Sequence, residues 1–243
     1  MISICMATYN GNSYIKEQLE SILPQMEETD ELIICDDQSS DNTLDIINSI
    51  SDNRIKVKIN NNRLGHVRNF EKAISLAKNE IIVLTDQDDI WSANKLNVVR
   101  KLFESNRKLT LYHHGITTID SGGKILDKHF NDINLTYNNK NVVTKIVRSL
   151  VKHHYFGCCM CFRKSLIPKL LPFPKASYAH DHWITATALV NGDVFCDNTS
   201  LISYRQHDMN VSPKNGLSLI SAIKVRFLLI QMYIVAYFRK YNV

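Results

Sequence analysis

Ile81-Ile82-Val83-Leu84-Thr85-Asp86-Gln87-Asp88-Asp89-Ile90-Trp91 is the stretch that decides how this chain is read. A short apolar run, β-branched and without alternation, stops abruptly in three carboxylates. Such a run reads as a strand covered on both faces, as in a parallel sheet. Acids at the carboxyl end of that strand stand where open α/β sheets bind their ligands. Hard oxygen donors at this spacing suit Mg²⁺ or Mn²⁺, and such a cation usually arrives with a phosphate. The plainer alternative is a helix N-cap, with Asp88 or Asp89 capping a helix that starts near Ser92 or Asn94. A cap needs one acid and leaves Asp86 unexplained.

Upstream, the same rhythm repeats. Ile2 to Ala7 reads as a strand, and the Asn10-Gly11 turn follows it. Ser13 is placed to cap a helix over Tyr14 to Leu23, which Pro24 stops. Glu31 to Cys35 is a second strand, ending in the polar loop Asp36-Asp37-Gln38-Ser39-Ser40-Asp41-Asn42-Thr43, with a helix over Leu44 to Ile50. Arg54 to Ile59 alternates charged and apolar residues, as a half-exposed edge strand does. Gly65-His66-Val67-Arg68-Asn69-Phe70 opens a third helix. Strands alternating with helices imply a parallel sheet with right-handed crossovers. Thr8-Tyr9-Asn10, Asp36-Asp37 and Asp86 to Asp89 then share one rim. No G-x-G-x-x-G or Walker A lysine follows the first strand, which argues against a dinucleotide or P-loop site.

The 243 residues carry 29 Lys and Arg against 24 Asp and Glu, a mild net charge of +5. The cations are scattered over the first two hundred residues, so no nucleic-acid partner is expected. The length suits one large domain, or a domain with a subdomain. Cys5, Cys35, Cys158, Cys159, Cys161 and Cys196 lie mostly inside apolar runs, without the paired spacing of a zinc site. Reduced, buried thiols and a cytoplasmic location are expected. The start Met1-Ile2-Ser3-Ile4-Cys5 lacks the pattern of a signal peptide, and no apolar stretch reads as long enough to span a membrane.

Four segments in order carry a resemblance: Ala7-Thr8-Tyr9-Asn10-Gly11, Asp36 to Thr43, Gly65 to Ala73, and Thr85-Asp86-Gln87-Asp88-Asp89-Ile90-Trp91. Together they resemble the family 2 nucleotide-sugar glycosyltransferases of GT-A fold, over roughly residues 1–212. The resemblance implies a Rossmann-like, mostly parallel central sheet flanked by helices. It implies a nucleotide-sugar-binding half at 1–105 and an acceptor-binding half at 106–215; the residues beyond, 216–243, read by their own pattern as a C-terminal amphipathic helix. Thr8, Tyr9, Asn10, Asp36, Asp37, Arg68, Asn69, Asp86 and Gln87 would bind the donor. Tyr9 would stack on the base and Asp37 would accept from it. Asp88 would hold Mn²⁺ or Mg²⁺.

Beyond the acids, Lys95 to Phe103 reads as a helix, Leu109 to Ile119 as a strand, and Lys128 to Lys140 as a polar loop over the cleft. Asn141 to Leu150 reads as a short helix and Phe156 to Phe162 as an apolar strand. In Ala179-His180-Asp181-His182-Trp183-Ile184 the resemblance places the catalytic base at Asp181, with His180, His182 and Trp183 toward the acceptor. The alternatives are that Asp181 only caps a helix, or that the two histidines pair on zinc. Ser203 to Ser212 resembles a segment of bacterial rhamnosyltransferase-like members. There His207 would be a second metal ligand and Arg205 would neutralise phosphate, or His207 is a surface histidine. From Leu217 to Tyr241 an apolar majority is punctuated by Lys224, Arg226, Arg239 and Lys240, and no acid follows Asp208. This reads as a membrane-surface element or as a helix docked on the core or a second subunit, in which case a homodimer.

The expected activity is therefore a metal-dependent, inverting hexosyl transfer. The sugar would pass from dTDP-rhamnose or a UDP-hexose to a lipid-linked or growing cell-surface saccharide, on the inner face of the membrane. A nucleotidyltransferase would want a basic, glycine-rich loop where Thr8 to Ser13 stands. A non-catalytic binding module would need neither the acid pair nor Asp181.

Overall fold

The computed structural model describes residues 1–127, 135–151, 155–208, 210 and 219–242. Strands β1 (Ile2–Thr8), β2 (Glu31–Asp36), β3 (Ile55–Ile59) and β4 (Ile81–Thr85) alternate with helices α1 (Ile15–Ile22), α2 (Thr43–Asn48) and α3 (His66–Leu76). Then come β5 (Ile90–Trp91), α4 (Lys95–Ser105), β6 (Leu109–Ile119), β7 (Ile125–Asp127) and α5 (Val142–Val151). The chain continues through β8 (Met160–Arg163), α6 (Ile167–Leu170), α7 (His180–Asn191), β9 (Asp193–Arg205) and α8 (Leu219–Asn242).

One sheet runs β3-β2-β1-β4-β8-β6-β9-β5, with β7 added to β6. The first four strands are parallel. The second half is mixed: β8 runs antiparallel to β4 and β6, β9 is parallel to β6, and β5 is antiparallel to β9. The central strands are apolar on both sides because side chains alternate between two cores. In β4, Ile82 and Leu84 enter one cluster while Ile81 and Val83 enter the other. Each such side chain contributes about 1.5–3 kcal/mol by leaving water.

The sheet has to curl. Flat, β4 and β5 would lie four strand spacings apart, about 19 Å. Thr85 to Ile90 is five residue steps, at most about 18 Å fully extended. The 86–89 segment is a bend rather than an extended bridge. β5 is thus brought back beside α1, and its Trp91 amide donates to Ser21 Oγ at 3.0 Å. The acids sit on this bend, at the mouth between the two halves.

Three expectations are corrected. The Phe156 to Phe162 strand is a 3-10 turn, Gly157–Cys159, followed by the shorter β8. Of the Lys128 to Lys140 loop, residues 128–134 lie outside the described residues, and Leu135–Asn139 is a 3-10 turn with Tyr137 buried. The C-terminal helix is longer than the apolar run suggested: Ser221 to Tyr241, mean hydropathy 1.4, is long and apolar enough by length and composition to cross a membrane. Here one stripe of it, Val225, Leu229, Met232 and Ala236, is buried within the main core that also holds α7.

Candidate active site

The rim is built from the loops that leave β1, β2 and β4. Asp37 N donates to Thr8 O at 2.8 Å, tying the first two loops together. Asp36 is fully buried; it accepts from Thr8 Oγ1 at 2.8 Å, Ser39 N at 2.8 Å and Ser39 Oγ at 2.6 Å. Asp37 accepts from Asn60 Nδ2 at 2.8 Å, Leu64 N at 2.7 Å and Gly65 N at 2.8 Å. Asn10 takes a left-handed backbone at φ 48° and binds Ser39 Oγ and Ser40 N. Gln87 clamps Tyr9 from across the cleft: its Oε1 accepts from Tyr9 N at 2.9 Å and its Nε2 donates to Tyr9 O at 3.0 Å. The clamp needs Gly11, because a Cβ there would stand 2.4 Å from Gln87 Oε1. Tyr9 presents its ring at the rim, with the Arg63 guanidinium 3.7 Å from the ring centroid.

The acids beyond β4 occupy graded environments. Burial first, and then the charges of Asp88 and Asp181, push the Asp86 carboxyl up to about 7. Asp89 is 1% exposed and is driven well above the usual carboxylate range, chiefly by burial. Its Oδ1 accepts from Arg205 N at 3.1 Å. Asp88 faces His207, Nε2 to Oδ2 at 2.9 Å, and the His207 ring stacks on Tyr14 at 4.9 Å. Asp181 heads α7, close enough for its charge to reach Asp86, and accepts from His182 N at 2.7 Å.

A divalent cation fits this mouth on its chemistry. Burial, and after it the charges of Asp88 and Asp181, hold a proton on Asp86 toward neutral pH, and a cation relieves the part that is repulsion. Asp86, Asp89 and Cys158 also bring ligand atoms within 4.8 Å of one another. That side suits a hard cation poorly, since burial pushes the Asp89 carboxyl up, the Cys159 contact and then burial push the Cys158 thiol up, and sulfur is a soft donor. Asp88 and His207, in contact at 2.9 Å, are the other donors beside Asp86.

Several expected contacts have other duties. Arg205 is 2% exposed and braces the bend: Nε donates to Asp88 O at 2.9 Å, Nη1 to Ser121 O at 3.0 Å, and Nη2 pairs with Glu17 at 2.5 Å. Its guanidinium is thus spent on the protein rather than on phosphate. Asn69 is buried and links Cys35 O to Asn60, so it supports the donor loops from beneath. Arg68 turns to Glu71 and to the carbonyls of Phe173 and Pro174. Trp183 is fully buried, with Nε1 donating to Leu170 O at 2.9 Å, and is core rather than acceptor contact. His180 lies under Phe70 at 4.1 Å, and burial holds its pKa down at about 4. The zinc pair finds no support among the described residues: both His180 ring nitrogens lack a partner, and no metal-ligand cluster there includes His182. Sequence reasoning missed Tyr14, Glu17, Arg63 and His66. His66 comes edge-on to His180 at 6.1 Å and feels the charge of Asp181.

Residues 3–171 match the sequence profile of glycosyl transferase family 2. The chain belongs to that family. Among its relatives is the Escherichia coli UDP-Glc:alpha-D-GlcNAc-diphosphoundecaprenol beta-1,3-glucosyltransferase WfgD, 29% identical over 87% of this chain and 79% of WfgD. Another is the Shigella flexneri dTDP-rhamnosyl transferase RfbG, 28% identical over 84% of this chain and 72% of RfbG. Residues 1–349 of S. aureus TarS, solved with UDP-GlcNAc, superpose with a TM-score of 0.71 over 99% of this chain and 72% of that one, at 16% identity. That likeness shows the GT-A fold. As a family 2 member, the chain is a nucleotide-sugar glycosyltransferase, and the rim of β1, β2 and β4 is its candidate donor side.

Proposed function

We propose that this chain is a metal-dependent, inverting hexosyltransferase that takes its sugar from a uridine or deoxythymidine diphosphate donor and gives it to a lipid-linked saccharide. The observation that carries the reading is a second carboxylate, Asp181 at the head of α7, near enough to the acids after β4 for its charge to bear on Asp86. One carboxylate opposite the diphosphate side is what a single displacement requires. The acceptor oxygen attacks the anomeric carbon as the bond to the diphosphate breaks, and Asp181 takes the hydroxyl proton. The configuration inverts because attack and departure are on opposite faces of the sugar.

Tyr9, braced by Gln87 and covered by Arg63, offers a stacking face for the base. Asp37 borders that pocket while anchoring the 60–65 loop. Asp86, Asp88 and His207 would hold the cation. When bound, it supplies charge to offset the leaving diphosphate. The names of WfgD and RfbG support both the donor pair and the lipid-linked acceptor. Six buried free cysteines suit a reducing compartment, hence the cytoplasmic face of the membrane.

A thermal-shift panel tests the donor half: UDP, dTDP, GDP, CMP and ATP, each with Mn²⁺, Mg²⁺ or a chelator. Binding to the folded state raises Tm by mass action. The expected result is a rise with UDP or dTDP that the chelator abolishes. A rise with ATP alone would point to nucleotidyl transfer, and a rise indifferent to chelator would remove the metal from the proposal.

A further inference from the structure

Helix α5 packs Ile146 and Leu150, half-buried, against the main core, yet it is apolar on its outer side as well. Its buried residues are Lys145 and Ser149, which face the protein. Lys145 Nζ donates to Val194 O at 3.1 Å, and Ser149 Oγ meets Tyr233 OH. Its opposite face shows Val143, Val147 and Val151 to the outside, at 65%, 52% and 66% exposure. A helix that only had to pack on a core would carry polar residues on that outer face.

Helix α8 repeats the oddity. Val225, Leu229, Met232 and Ala236 are buried, yet the opposite face is not polar. At 100° per residue, Ile234 stands half a turn from Val225, and around it lie Ile223, Phe227, Ile230, Tyr237 and Phe238, all exposed. The cations Lys224, Arg226 and Lys240 flank that face, and neither helix carries an acid. Arg226 Nη2 donates to Val151 O at 2.8 Å, which joins the two helices at one end. Between them runs an apolar groove of ≈ 360 Å³ lined by Ile146, Leu150, Val190, Ile230 and Ile234 among others.

We propose that the outward faces of α5 and α8, with the groove between them, form a docking surface for an anionic lipid bilayer. Charge decides the occupant. Acyl chains cover the valines, isoleucines and phenylalanines, while anionic headgroups neutralise Lys224, Arg226 and Lys240, which form no ion pair among the described residues. A second copy using this face isologously would set the same cations against themselves. The surface also stands at a useful distance. Val190 at the groove and Asp181 at the site are nine residues apart on α7, about 14 Å. A bilayer held there would lie about that far along α7 from Asp181, leaving room for a lipid-linked saccharide between them; that last step rests on the proposed function, and the surface does not.

The test is flotation of the full chain with vesicles of phosphatidylglycerol and phosphatidylethanolamine, and with vesicles of phosphatidylcholine alone. Variants are Val143→Glu with Val147→Glu, Phe227→Glu with Ile234→Glu, and Ile59→Glu on the exposed edge strand as a control. All these positions are at least half exposed, so folding, checked by Tm and circular dichroism, should be kept. The expected result is binding to the anionic vesicles, weaker at high salt, and reduced roughly tenfold or more by each double variant but not by the control. Wild-type binding by the α5 variant overturns the two-helix surface. Equal binding to both vesicle types, or none, overturns the anionic bilayer. A dimer in vesicle-free buffer that both double variants dissolve assigns the face to a second copy instead. Nucleotide-induced Tm shifts measured on the same samples report on the donor site separately.

Discussion

Asp181 lies near enough to Asp86 for its charge to bear on it, and the chemistry of the two differs by surroundings. For Asp181 the expectation is kinetic. Asp181→Asn keeps the shape and the acceptor for His182 N but cannot take a proton. Turnover should fall about 10²–10⁴-fold while the nucleotide-induced Tm shift persists; full activity in the variant would refute the assignment. For Asp86 the expectation is a pH profile. Unfolded, this acid ionises near its ordinary value of 3.8, whereas folded and metal-free it holds its proton to about 7. The folded state therefore binds the extra proton between those values. Stability from this group is present at low pH and drains away as pH rises toward 7. Cation binding needs the ionised form, so Mn²⁺ affinity should rise roughly tenfold between about pH 6 and about pH 8. Calorimetric titration of wild type against Asp86→Asn checks this, since the variant should bind weakly with a flat profile.

At the scale of elements, Arg205 joins the end of β9 to the 86–89 bend, the 121–123 turn and α1. Its planar fork serves three directions, which a lysine cannot. Arg205→Lys should cost about 1–3 kcal/mol, discounted for the half-exposed Glu17 partner, and should also loosen metal-dependent nucleotide binding. Urea unfolding together with the Tm panel would show both, and a change in neither would mean the brace is idle. This element also marks where sequence reading fails. β1, β2 and β4 were legible because both faces are buried and the run is continuous. β9 was not, since Asp197, Asn198, Thr199 and Ser200 break its apolar pattern midway. It is a strand because long-range pairing with β6 overrides local preference, with register shifts and Gly115 admitting the Asn198 backbone. The same holds at the site. Motif residues at strand ends could be placed from the chain alone. Glu17, Tyr14 and Arg63 reach the site only through tertiary packing and carry no local signal. Arg205 and Asn69 were chosen for their chemistry, but the fold spends them as braces.

For the whole molecule, the question is whether the donor and acceptor halves are separate folding units. The sheet argues that they are not. β4, from the first half, pairs with β8 from the second, and β5 from the first pairs with β9. Each hydrophobic cluster draws on both: one holds Cys5 and Leu84 with Phe162 and Trp183, the other Ile4 and Val83 with Tyr112 and Leu201. Cutting at residue 105 would strip the β8 partner from β4, open both cores and leave the 86–89 bend without Arg205. The expected outcome is one cooperative transition in the full chain, with calorimetric and van't Hoff enthalpies equal and with fluorescence and far-UV circular dichroism coincident. A fragment of residues 1–105 should show no such transition and no nucleotide-induced shift. Two resolved transitions, or a folded fragment that binds UDP with Mn²⁺, would show that the donor half stands alone and that the shared sheet is a contact between domains.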